Sequence, residues 1–158
     1  MSINKILISV LCLFLTNEKL FSLDIDQLVL EPGFEISVYA DSLDAPRQMA
    51  EGENGTIFVG ERSGQIIALI DSDHNGQADS KIILAQGLKY STGVSLFNGD
   101  LYFSEISKIW KIENIEKWVS NYNNADTNLP KKILVVDNLP NDQWHGWKWL
   151  KHDQAGGI

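Results

Sequence analysis

The chain has 158 residues, 44% of them hydrophobic, with 13 Lys and Arg against 21 Asp and Glu for a formal net charge of −8. That content supports a packed core the size of one ordinary domain and excludes a disordered composition. No basic cluster occurs, so the electrostatic footprint of a nucleic-acid binder is missing.

In chain order, Met1–Lys5 carries one positive charge and Ile6–Thr16 is an apolar run. The run is too short to span a bilayer as a helix and fits the core of an export signal over residues 1–22, with cleavage after Ser22. Leu20-Phe21-Ser22 departs from a small-x-small site, and an uncleaved anchor or a buried strand is the competing reading. A periplasmic or secreted location without a stable membrane span is the expectation. Cys12 is the single cysteine, so the part from Leu23 onward offers no disulfide, thiolate nucleophile or Cys-ligated zinc.

From Leu28 the chain repeats itself. Asn54-Gly55-Thr56-Ile57-Phe58-Val59-Gly60-Glu61 is echoed by Asn98-Gly99-Asp100-Leu101-Tyr102-Phe103-Ser104-Glu105. Three apolar runs precede the echoes or follow them, at 34–40, 81–85 and 132–136, and each is trailed by a leucine: Leu43, Leu88 and Leu139. Short segments follow at 47–50, 92–95 and 145–148, and further strands are predicted at 65–70 and 108–112. The β-branched content and the punctuation by Gly, Asn and Asp favour strands, with a helical insertion at 115–123 as the exception. A period in the forties with Asn-Gly turns marks a propeller blade. The prediction is an all-β fold: residues 28–158 as an incomplete β-propeller of about two and a half blades. The 34–40 run, with no inner strand before it, is expected to complete the last blade and fasten the ring. The third cycle breaks off at Ala155-Gly156-Gly157-Ile158, where a second strand is expected, which reads as the front part of a longer protein.

Three places carry candidate chemistry. Asp71, Asp73, Asn75 and Asp79 have the oxygen spacing of a calcium loop, although Ile82 stands where a closing glutamate is expected. The same residues also suit a hairpin connection rich in Asx turns. Glu61 and Glu105, equivalent in successive blades, either point toward a central channel or bond to backbone between blades. The densest chemistry is Trp144-His145-Gly146-Trp147-Lys148-Trp149. In the repeat register His145 enters an inner strand, where a neutral imidazole can accept a proton from a substrate hydroxyl and indoles can stack on a sugar. Trp147 and Trp149, sharing a strand face, are otherwise core. His74 and His152 have weaker claims. No dinucleotide fingerprint, phosphate loop, HExxH or GxSxG motif is present.

Glu31-Pro32-Gly33-Phe34-Glu35, Val59-Gly60-Glu61-Arg62, the Asp71–Asp79 loop and Trp144-His145-Gly146-Trp147-Lys148, in this order, resemble the amino-terminal part of the glucose/sorbosone dehydrogenase family. The resemblance covers nearly everything from Leu28 onward. It implies a six-bladed propeller, usually exported, that uses pyrroloquinoline quinone and calcium to oxidise a sugar or sugar aldehyde and passes electrons to an external acceptor. The family's catalytic histidine falls on His145, and Trp147-Lys148 follows it as in the sorbosone-type branch. Ser91-Thr92 departs from that branch's usual Pro-Asn pair. The family's calcium ligands and most of its quinone-binding basic residues belong to later blades, so no cofactor-binding residue is assigned. Arg47 and Gln48 are placed near the channel without a family role. Two other readings stand beside this one: a propeller that binds sugars or partners without catalysis, and a calcium-dependent lactonase with Glu61 among its metal ligands.

Overall fold

The structure is a computed structural model that describes residues 25–125, 128–144 and 146–158. The expected export signal at 1–22 and the candidate base His145 lie outside the described residues. The chain divides into two compact units between Ile36 and Ser37. In the first, a 3₁₀ turn at Ile25–Gln27 and a turn closed by Phe34 N–H on Glu31 O are the described features.

The second unit holds eight strands in two antiparallel four-stranded sheets. The first sheet runs β1 (Pro46–Glu51), β2 (Ile57–Glu61), β3 (Gln65–Ile70) and β4 (Ser80–Ala85), in chain order across the sheet. The second repeats the meander with β5 (Val94–Phe97), β6 (Asp100–Ser104), β7 (Ile109–Ile112) and β8 (Ile133–Val136). Helix α1 (Ile115–Asn121) fills the β7–β8 connection where a helical insertion was expected. The repeat is therefore a repeat of sheets.

The two echoing Asn-Gly dipeptides form different turns. Asn98 (φ 51°) and Gly99 (φ 81°) are the two central residues between paired Phe97 and Asp100, which is a type I′ hairpin. In the first sheet Glu51 pairs with Ile57, so Asn54 and Gly55 sit in a five-residue loop closed by Gly52 N–H on Thr56 O. Glu116 of α1 holds that loop through Asn54 N–H (3.3 Å) and Thr56 Oγ1 (2.8 Å).

Alternation along the strands builds the main core between the sheets. Phe58, Ile66, Ala68, Ile82 and Leu84 of the first sheet meet Val94, Leu101, Phe103 and Ile112 of the second, and α1 adds Ile115 and Val119. The opposite face of the first sheet presents Val59, Ile67 and Leu69, which are buried under the partly exposed Tyr39, Ala40 and Leu43.

Two expectations are corrected. The 34–40 run forms no strand: Phe34, Ile36 and Val38 are exposed, and Tyr39 O accepts the Ala78 N–H at 2.8 Å without the paired bonds of a ladder. Nor do the described residues 146–148 form a third-cycle inner strand. Trp149 is 69% exposed and Trp147 half-buried, so the two do not share a core face.

Candidate functional site

Strand pairing gives each sheet an upper end, where β1 and β5 begin and β2 and β6 finish. Both echoing glutamates stand there and do the same work. Buried Glu61 accepts the Asp44 N–H at 2.8 Å, and half-buried Glu105 accepts the Lys89 N–H at 2.9 Å and the Trp110 indole N–H at 2.7 Å. Asp44 and Lys89 each follow one of the repeated leucines. The residue after each glutamate closes the clasp from the other side: Arg62 N–H donates to Ala45 O and Ile106 N–H to Lys89 O. Of the two roles open to these carboxylates, the backbone role is the observed one.

The segment after residue 146 descends along β5 without becoming a strand. Lys148 O accepts from Thr92 Oγ1 (3.1 Å) and Ser104 Oγ (3.2 Å) at the upper end. One level down, the Gln48 carboxamide pairs with the Leu150 backbone, donating to its carbonyl at 2.7 Å and accepting its N–H at 3.0 Å. Lower still, His152 Nδ1 lies 2.9 Å from Ser95 Oγ while its ring stacks on Phe97 and meets the Tyr102 edge. Burial pushes the His152 imidazole below its ordinary pKa, with Asp153 pulling weakly the other way. Gly93 admits this segment, because a Cβ there would run into the Lys148 carbonyl.

At the top of the segment sits Trp147, and both arginines of the chain converge on it. The Cζ atoms of Arg47 and Arg62 each lie 5.2 Å from the centre of its ring. The sequence places them there through the Pro46–Glu61 pair: Arg62 directly follows β2, and Arg47 falls at the register shift between Pro46 and Gln48. A bulge of this kind re-aims the side chain it carries. Among the described residues neither guanidinium has a carboxylate partner. Trp147 Nε1 is buried and has no hydrogen-bond partner among the described residues. Unassigned beforehand, Arg47 now has a place, and Arg62 joins it. The available signal was that these are the chain's only two arginines.

The expected calcium loop joins β3 to β4, at the lower end of the first sheet. One oxygen from each of Asp71, Asp73 and Asp79 lies within 4.8 Å of the others, a donor set that suits a hard cation. Each carboxylate is also engaged locally. Asp71 accepts from Asn75 and Gly76 N–H, Asp73 from Asn75, and Asp79 from Ser72 N–H (2.6 Å) and Oγ (2.5 Å). The Ser72 bonds hold the Asp79 carboxyl below the usual carboxylate range. Asn75 is drawn out of the set, since its Oδ1 accepts Gln77 N–H and its amide donates to Asp73.

No family model matches the chain. An uncharacterized protein of Borreliella burgdorferi is 24% identical over 125 residues, which is 77% of this chain and 31% of that protein. Among solved structures, the holo form of the pyranose dehydrogenase PQQ domain from Coprinopsis cinerea matches with a TM-score of 0.57 and 16% identity, over 75% of this chain and 27% of that one. A carbohydrate-active enzyme of family AA12 from Trichoderma reesei matches with a TM-score of 0.60 and 20% identity, over 80% of this chain and 31% of its own. The chain thus spans less than a third of each protein, and over that span it shares the fold of the PQQ domain of a pyranose dehydrogenase.

Proposed function

We propose that this chain forms two blades of an exported quinoprotein oxidoreductase of the glucose/sorbosone dehydrogenase type, acting on a sugar or sugar aldehyde. The observation that carries the reading is the fold shared with the pyranose dehydrogenase PQQ domain. The order of motifs from Glu31 to Lys148 supports it.

Bound pyrroloquinoline quinone supplies the two-electron acceptor for a hydride leaving the substrate carbon, and an external acceptor then removes the electrons. The residues at the upper end fit a polycarboxylate of this kind, since two guanidiniums without carboxylate partners among the described residues lie against one indole there. In this reading an imidazole nitrogen of His145 accepts the substrate's hydroxyl proton as the carbon–oxygen double bond forms. Gln48, Thr92 and Ser104 hold the backbone of residues 148–150, just downstream of that histidine. Calcium at Asp71, Asp73 and Asp79 braces the β3–β4 loop. That loop is at the end of the sheet away from Arg47 and Arg62, so no chemical step is assigned to the ion there. The lactonase reading is weakened by the engagement of Glu61 with the Asp44 N–H.

The test is His145→Ala in the full-length protein supplied with quinone. Quinone-dependent turnover should fall by about 10²–10⁴-fold, the range for loss of a general base. Unchanged turnover would remove His145 from the chemistry.

A further inference from the structure

We propose that Trp118, Asn121, Tyr122 and Asn128 form a binding site for a neutral saccharide on the insertion between β7 and β8. These residues and Leu129 line a cleft of about 230 Å³. The described lining is uncharged in a chain where 22% of residues carry charge, so it offers a partner to neither an anion nor a cation. Trp118 and Tyr122 lie four residues apart on one side of α1, with ring centres 5.3 Å apart and a tilt of 37° between them. Both are half-buried, which leaves part of each ring open at the cleft. The Asn121 amide donates to Lys117 O at 2.8 Å and keeps its oxygen for a ligand, and the exposed Asn128 brings a second amide. Aromatic faces beside neutral donors and acceptors match a sugar ring, whose faces carry C–H groups and whose edge carries hydroxyls.

The fold does not require this insertion. Residues 71–79 suffice to join β3 to β4, whereas residues 113–132 join the corresponding strands β7 and β8. Attachment of α1 is already supplied by Ile115 and Val119 in the main core and by Glu116 on the loop at 52–56. Trp118 and Tyr122 pack against that core with only part of their surface. Aliphatic side chains would fill that contact as well, and would not give a two-ring platform with amides at its rim. Strand β7 ends and β8 begins at the lower end of the second sheet. The cleft is therefore at the opposite end from Arg47, Arg62 and Trp147, and a saccharide there is anchored without being turned over.

The site does not rest on the oxidoreductase reading. Isothermal titration of the full-length protein with cellotetraose and maltotetraose tests it. At least one of the two should bind, equally well at low and high potassium chloride, and Trp118→Ala should weaken that binding by about tenfold. Asn128→Ala, at an exposed position, should weaken it less. Should Trp118→Ala fail to fold, Trp118→Leu keeps an apolar contact with the core, removes the ring and should show the same loss. A loss confined to one tetrasaccharide identifies the linkage that the cleft accepts. The proposal is overturned if neither tetrasaccharide binds the parent protein, or if Trp118→Leu binds both as tightly as the parent. Saccharide binding that depends on Trp118, in a protein without any quinone-dependent turnover, would sink the oxidoreductase reading and leave this site standing. Quinone-dependent turnover with undiminished tetrasaccharide binding in Trp118→Leu would do the reverse.

Discussion

Glu61 shows how one side chain serves both the repeat and its closure. Its carboxylate is almost fully buried (2% exposed) and is satisfied by the N–H of Asp44, on the linker that leads into β1. Glu61→Ala leaves that amide without its acceptor, and the expected loss of folding stability is about 2 kcal/mol, in the range for a hydrogen bond to a charged group. Glu61→Gln keeps an acceptor oxygen and should lose less. Equal urea midpoints for Glu61→Ala and the parent would show that the bond contributes nothing. The backbone role of Glu61 and Glu105 was legible in the sequence because they recur at one position of a repeat. The roles of Gln48 and Arg62 were not. Gln48 bonds to Leu150, 102 residues away, and Arg62 meets Trp147, and no local pattern encodes partners so distant.

At the scale of elements, strands β1 to β8 and helix α1 lie close to where alternation and turn chemistry put them, since each strand has a partner within its own sheet. The misplaced elements are those whose partners lie elsewhere. Residues 34–40 have the alternation of a strand but form no ladder, and residues 146–152 bond through side chains of β1 and β5 instead of forming one. His152 anchors the latter segment, and its imidazole is held below the ordinary value near 6.5 by burial. The unfolded chain therefore takes up the proton first as pH falls. The contribution of neutral His152 is present above the ordinary histidine value and is lost as pH drops through the lower folded value. His152→Phe keeps the ring contacts with Phe97 and Tyr102 and removes the titration. Thermal unfolding midpoints taken across that range should fall more steeply with acid in the parent than in the variant. Parallel profiles would show that His152 does not titrate with folding.

At the scale of the whole molecule, the first sheet carries apolar residues on both of its faces. The inner faces meet in the main core, but the outer face of the first sheet keeps Met49 70% exposed beside a groove of about 370 Å³ lined by Val38, Leu43, Ile57, Val59 and Leu69. A meander that buries one face against its successor and leaves the other for a predecessor is how blades stack around a ring. The all-β architecture and the repeat of four-stranded sheets were readable from turn spacing alone. The site was less so, because the arginine–tryptophan cluster depends on a bulge that the strand pattern does not announce. Quinone chemistry on a sugar is tested most directly by dye reduction by the full-length protein with aldoses and sugar aldehydes, with and without added pyrroloquinoline quinone and calcium. Dye reduction should require both the sugar and the quinone. Absence of turnover with every sugar tested, in protein shown by titration to have bound the quinone, would contradict it.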